Sequence, residues 1–345
     1  MIKKIISLEA HVEQLQNVIK GNRSFDGEKK SKEPHPKKAR IFNFAKYKVR
    51  HVALKLMYLG WDYQGFVVQE DTNKTIESVL FDALLKTKLI HSRESSNYHR
   101  CGRTDKGVTA FAQVISLDLR TNLIEGKGVI TPENYEDTRT NNDQTEIPYA
   151  TILNKVLPPE VRIIAWAPVD KKFSARFNCQ KRTYKYLFPI GDMNIDLMKQ
   201  ACKYLIGEHD FRNLCKMDVN NGVLNYKRTI FSAEINCTQE DHCYSMCELT
   251  IIGQAFLWHQ IRCIVAILFL VGEGKEQPEI IEKLLNIEIC PNKPQYCMAA
   301  EFPLILFDCQ YSDHDIEEWQ FENEAIIDLV KHLQMLWSQQ EIKAN

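Results

Sequence analysis

His51-Val-Ala-Leu-Lys-Leu-Met-Tyr58 alternates in a period of two, with Val52, Leu54, Leu56 and Tyr58 on one side, which is the pattern of a strand laid on a core. A helix follows it: Thr75 is the N-cap, and Ile76, Val79, Leu80, Ala83 and Leu84 recur at helical spacing up to Lys88. A second strand runs from Phe111 to Leu119, after a turn bounded by Gly102 and Gly107. Downstream the pattern predicts a helix at Tyr149 to Val156, strands at Arg162 to Val169 and Lys181 to Phe188, and a helix at Ile195 to Leu205. The order then repeats in kind, with strands at Thr229 to Ile235 and Tyr244 to Ile252, helices at Trp258 to Leu270 and Pro278 to Leu285, and a strand at Leu304 to Gln310. A last amphipathic helix, Glu324 to Gln339, is expected to bury Ile326, Leu329, Val330, Leu333 and Trp337. Such irregular alternation with short connections implies an α+β protein: a largely antiparallel sheet with helices on one side.

Around this body lie segments of another character. Ile5, Leu8, Val12, Leu15 and Ile19 form the heptad stripe of a short helix over 1–20, followed by a polar, Pro-broken linker over 21–47. The body divides into a lobe at 48–170, with a long exposed insertion at 122–147, and a lobe at 171–312; an acidic segment and the last helix occupy 313–345.

The 345 residues, 44% apolar and 26% charged, have room for a large core and exclude a short disulfide scaffold. A net charge of −1 conceals an asymmetry: residues 28 to 50 hold nine Lys/Arg against two Glu, while Asp313 to Glu324 hold six carboxylates and no Lys or Arg. The basic run reads as a solvated linker or, more sharply, as a nucleic-acid arm or a nuclear import signal around Lys37 to Arg40. Eleven Cys without any C-x-x-C pair point to reduced thiols, mostly packed in the core, in the nucleus, the cytoplasm or both. The most apolar stretch, Ala255 to Val271, carries His259, Gln260 and Arg262, so no membrane span is expected.

Metal binding is the first chemistry to test, because Cys237, His242, Cys243 and Cys247 cluster. A strand places positions i and i+4 about 13 Å apart, too far for one tetrahedral ion, so no metal is expected there. Phosphate-loop and dinucleotide-binding patterns are absent. What remains is Tyr98-His-Arg-Cys-Gly-Arg-Thr-Asp-Lys-Gly-Val108, which packs Arg100, Arg103, Asp105 and Lys106 into one turn; by composition it also fits an exposed turn with a local ion pair. Arg262 sits on an apolar helix, where it either snorkels to solvent or meets a carboxylate or an anionic ligand. If that partner is Asp105, the pair favours the ionised carboxylate, and a lone carboxylate beside arginines suits a nucleophile. In Gln180-Lys-Arg-Thr-Tyr-Lys-Tyr-Leu-Phe188, Arg182, Tyr184 and Tyr186 share one face, an arrangement that can stack a base and hold its phosphate, with core aromatics on a sheet as the alternative for either Tyr.

Gly102-Arg-Thr-Asp-Lys-Gly-Val108, preceded by Tyr58-Leu-Gly-Trp-Asp-Tyr-Gln-Gly-Phe66, resembles the TruA family of tRNA pseudouridine synthases. Phe173-Ser-Ala-Arg-Phe177, Arg182-Thr-Tyr-Lys-Tyr186, Gly207-Glu-His-Asp-Phe211 and Phe256-Leu-Trp-His-Gln-Ile-Arg262 follow in the family's order, so the resemblance covers about 50–310. Asn97-Tyr-His-Arg-Cys-Gly102, Phe211-Arg-Asn-Leu-Cys-Lys-Met-Asp218 and Lys293-Pro-Gln-Tyr296 are similar to the eukaryotic branch that acts on tRNA positions 38 and 39; a sister branch acts on 27 and 28. The resemblance implies two sheet-rich lobes sharing one sheet around a cleft, tRNA as substrate, a homodimer, and an isomerisation that needs neither cofactor nor metal. By the same comparison Asp105 is the nucleophile, Tyr184 stacks on the target base, Arg262 pairs with Asp105, and Arg103 fills the space left by the extruded nucleotide. A rival of another class is an RNA-binding paralogue without catalysis.

Overall fold

The computed structural model describes residues 42–136, 145–217, 225–238 and 245–344. The expected heptad helix, the import-like run at Lys37 to Arg40, the middle of the insertion and the pair His242 and Cys243 lie outside these residues. Asn43–Asn345 form one compact unit.

Ten strands make one sheet. They are β1 (Lys48–Tyr58), β2 (His99–Arg100), β3 (Thr109–Thr121), β4 (Val129–Ile130), β5 (Val161–Pro168), β6 (Lys181–Pro189), β7 (Gly207–Asp210), β8 (Lys227–Cys237), β9 (Met246–Gly253) and β10 (Leu304–Gln310). The order across the sheet is β4-β1-β3-β10-β6-β9-β8-β7, with β5 also on β1 and β2 also on β3. Every pairing is antiparallel except that of β10 with β3. The helices are α1 (Ile76–Lys86), α2 (Tyr149–Asn154), α3 (Ile195–Lys203), α4 (Gln260–Gly272), α5 (Ile280–Leu285) and α6 (Asn323–Ala344). This is the mixed, largely antiparallel architecture that the alternation predicts.

Two cores flank the centre of the sheet. In one, Leu54, Leu56 and Leu117 pack against Leu80 and Leu84 of α1 and Tyr149 of α2. In the other, Phe188 and Leu249 pack against Met198 of α3 and Ile264 and Leu268 of α4. Tyr184 packs against both. The last strand closes the join between them: β10 pairs with β3 through Ile305 and Leu306, and with β6 through residues from Leu304 to Gln310.

Several expectations are corrected. Cys237 and Cys247 are not reduced thiols but a disulfide, because they stand directly opposite each other in the β8–β9 register, a relation that spacing along the chain does not reveal. The last helix buries Ala325 and Leu329 in its first turns, where it packs on β5 and α2, but leaves Val330 and Trp337 exposed; its periodicity specified an apolar face, not what would cover it. The insertion contributes β4 to the sheet edge, and Glu146 near its end pairs with Arg50 at 2.8 Å. Glu322 of the acidic segment receives the Ala150 and Thr151 N–H groups at the start of α2, at 3.1 and 2.7 Å, a favourable place for a carboxylate.

α1 begins at Thr75, whose hydroxyl accepts the Ser78 N–H. Glu77 in its first turn is fully buried. Its carboxylate accepts from Arg93 at 2.9 Å, Arg100 at 2.7 Å, the Tyr98 hydroxyl at 2.8 Å and the Val68 N–H at 3.1 Å. Tyr98 and Arg100 lead straight into the Gly102–Gly107 turn, so this buried acid anchors its entrance. Glu77→Ala leaves two guanidinium groups without their counter-charge and is expected to destabilise the chain by about 3–5 kcal/mol, read as a lower urea midpoint at an unchanged slope.

Candidate active site

The turn between β2 and β3 is held from below. The Phe66 N–H donates to the Thr104 carbonyl at 3.1 Å and the Gly107 N–H to the Tyr63 carbonyl at 3.2 Å. The Tyr58 and Thr104 hydroxyls share a 2.7 Å hydrogen bond, and the Gln113 side-chain amide bonds both the N–H and the carbonyl of Gly102. Two glycines are required by geometry. A Cβ on Gly60 would collide with the Val108 carbonyl, and Gly107 has φ 77°, a left-handed value, with Glu301 against its open side.

Asp105 projects from this turn into a cleft of about 990 Å³. Among the described residues lining it, Asp105 is the only acid, against the seven cations Arg100, Arg103, Arg176, Arg182, Lys216, Arg228 and Arg262. The Trp258 indole N–H donates to Asp105 Oδ1 at 3.2 Å, and His259 Nε2 lies 3.3 Å from Oδ2. Burial raises the Asp105 pKa above the usual carboxylate value, while the indole hydrogen bond and the charge of Arg262 pull it partly back. Burial, reinforced by Arg262 and Lys216, pushes His259 down to about 4, so at neutral pH the ring is uncharged and its approach to Asp105 is not an ion pair. His259 has φ 58°, uncommon outside glycine, and its Nδ1 is buried without a partner. Neither Trp258 nor His259 stood out in the sequence except as letters of a motif; what marks them is their seat at the entry to α4, opposite the turn.

Arg262 does not pair with Asp105. Its Nη2 bonds Glu301 at 3.0 Å and its Nε the Ala299 carbonyl at 2.8 Å, because the segment before β10 runs across the start of α4. The sequence requirement for a carboxylate beside this arginine is met, but by Glu301, and Arg262 reaches Asp105 through its field. Tyr184 is half-buried on β6 and lines the cleft, with its ring edge-on to Phe256 at 5.2 Å. Arg103 lines the same cleft, exposed and, among the described residues, without an ion pair. Arg182 is fixed to backbone carbonyls of Gln254, Cys101 and Arg176 and so ties β6 to the turn.

The segments singled out near 211 and 293 meet each other. Tyr296 donates its hydroxyl to the Asn213 carbonyl at 2.7 Å, and Lys293 donates to the Cys215 carbonyl at 2.8 Å. Together they set Lys216, whose ammonium lies 4.3 Å above the Trp258 ring. Among the described residues one group has the makings of a metal-ligand set, Cys101, Cys179 and Cys309, whose sulfurs all lie within 4.8 Å of one another. No described helix is long and apolar enough to cross a membrane.

The profile of a family described as tRNA pseudouridine synthase matches residues 201–312. A Bos taurus protein named tRNA pseudouridine(38/39) synthase is 48% identical over 99% of this chain and 72% of its own length. A Saccharomyces cerevisiae protein of the same name is 39% identical over 100% of this chain and 77% of its own. The Methanosarcina barkeri tRNA pseudouridine synthase A is 29% identical over 80% of this chain and 89% of its own. Relatives similar over nearly the whole chain carry more than the profile match alone: the chain belongs to the tRNA pseudouridine synthase family.

Proposed function

We propose that this chain isomerises uridine to pseudouridine in the anticodon stem-loop of tRNA, at positions 38 and 39, with Asp105 as nucleophile. The observation that carries the reading is one desolvated carboxylate in a cleft whose other charged lining residues, among those described, are seven cations, of which only Arg100 and Arg262 are ion-paired with acids behind the lining. Such a lining attracts a polyanion. The assignment to positions 38 and 39 rests on the relatives that bear those positions in their names.

In this reading the target nucleotide leaves the stack, at a cost of a few kcal/mol that contacts in the cleft must offset. Tyr184 stacks on the extruded base and Arg103 fills the space left behind. Asp105 attacks the target uridine, the N1–C1′ bond breaks, and the uracil turns and rejoins through C5, whose proton is released to solvent while Asp105 is freed. Trp258 holds one oxygen of the carboxylate and leaves the other beside a neutral imidazole, so the nucleophile is oriented without being neutralised. Arg262, held by Glu301, supplies positive potential. Arg176, Lys216 and Arg228 are the phosphate contacts, which position the RNA rather than read its sequence.

A second copy of the chain belongs to the same reading. A groove of about 1040 Å³ is lined by Leu59, Phe111, Phe188 and Ile305. Leu304 lines the active cleft and Ile305 this groove, so the two open on opposite faces of β10. Trp61 and Phe302 at the groove are 56% and 64% exposed, an apolar surface suited to burial against its own copy. Light scattering is expected to return twice the chain mass, and Trp61→Glu with Phe302→Glu to return the monomer; a monomeric wild type removes the dimer from the proposal.

Two outcomes test the chemistry. Wild-type chain is expected to release tritium from 5-tritiated uridine in tRNA, with the product mapped to positions 38 and 39, and Asp105→Asn is expected to release none while still binding tRNA in a salt-dependent way. If wild type binds but is silent, the non-catalytic reading takes over; product at 27 and 28 would move the chain to the sister branch.

The second concerns stability. Because burial raises the Asp105 pKa in the folded chain above its unfolded value, the folded state holds that proton at higher pH and gains relative stability as pH falls through this window. Asp105→Asn is therefore expected to melt above wild type at neutral pH, with the gap closing on acidification; a lower melting temperature at neutral pH contradicts it.

A further inference from the structure

We infer that Cys101, Cys179 and Cys309 form a binding site for a thiophilic metal ion, Zn²⁺, directly beneath the active cleft. All three side chains are buried, and their sulfurs lie mutually within 4.8 Å. A triangle with edges of that length would put a central ion about 2.8 Å from each sulfur, and contraction by about half an ångström reaches the ~2.3 Å of a zinc–thiolate bond. Thiolates are the donors that select such an ion.

The surroundings favour a metal over plain packing. A buried cysteine that only fills space behaves as a small apolar group and needs no other sulfur beside it, as Cys202 on α3 illustrates. Three converging thiols from three distant segments are a different arrangement. Three thiolates around Zn²⁺ carry one net negative charge, and Arg182 stands beside them, its Nη2 donating to the Cys101 carbonyl at 3.1 Å. Cys101 and Cys179 also line the cleft, so a water from it can take the fourth position of the tetrahedron. Binding exchanges three thiol protons for the ion, with no change of oxidation state.

The consequence is positional. Cys101 precedes the turn that carries Asp105, Cys179 precedes β6 with Arg182 and Tyr184, and Cys309 lies on β10 opposite Arg182. An ion joining them fixes the turn, the base-facing strand and the strand between the two cores to one point, independently of which residue is the nucleophile.

The full chain, purified under reducing conditions and passed through a chelator-containing column, is expected to retain close to one zinc per chain by elemental mass spectrometry. Replacement by Co²⁺ should give the near-ultraviolet thiolate-to-cobalt charge-transfer band. Cys179→Ala and Cys309→Ala are each expected to lower metal retention about tenfold or more and to lose the band, whereas Cys202→Ala keeps both. The cobalt titration of wild type needs no variant and so decides the matter even if a substitution impairs folding. Absence of the band, or equal zinc retention in wild type and Cys309→Ala, overturns the inference.

Discussion

A carboxylate taken out of water among positive charges is the constraint on which the rest of this molecule is arranged. Desolvation alone would drive Asp105 towards its protonated, unreactive form; contact with a guanidinium would hold it ionised but neutralise it. The structure lies between these limits. The carboxylate has one indole N–H, an uncharged imidazole edge and the field of arginines at a distance, and its pKa is raised only in part. In the proposed reaction, a carboxylate that attacks and then leaves benefits from that balance.

Maintaining it requires two halves of the chain to be held in register, and the sheet does this with its last strand. β10 inserts between β3, which follows the Asp105 turn, and β6, which carries Tyr184 and Arg182. Glu301, three residues before β10, reaches Arg262 and also packs against the open side of Gly107. The same stretch of backbone thus touches the turn, the helix that carries the guanidinium and, through Cys309, the thiol cluster. A shift of β10 would disturb all three together.

Local pattern recovered what is local. The Thr75 cap, the β1 strand and the bounds of β10 follow from spacing over a few residues, and the structure has them there, although β1 is buried on both faces and not on one as its alternation implied. Short pieces escaped: β2 and β4 have two residues each and carry no period, and β7 pairs Gly207–Asp210 with β8 although its sequence is polar. The site was legible in membership and not in wiring. Asp105, Arg103, Tyr184 and Arg262 all line one cleft, but the partner of Arg262 depends on where residue 301 is carried by the fold, and a sequence has no means of ranking Asp105 against Glu301 for that role. The Cys237–Cys247 bond and the thiol triad escaped for the same reason: pairing is a property of register and of meeting between distant segments.

The exchange of partners at Arg262 is itself informative. Had the guanidinium gripped Asp105, the ion pair would have lowered the carboxylate's pKa and occupied an oxygen that the proposed attack uses. With Glu301 as its ion-pair partner, Arg262 is only 12% exposed yet not left as an unpaired buried charge. Glu301 itself remains 40% exposed, so it meets the requirement at small desolvation cost. A positive charge is thereby stationed near Asp105 by a second acid, and the difference between the two carboxylates follows their burial: the more buried Asp105 has the raised pKa, and the more exposed Glu301 supplies the counter-charge.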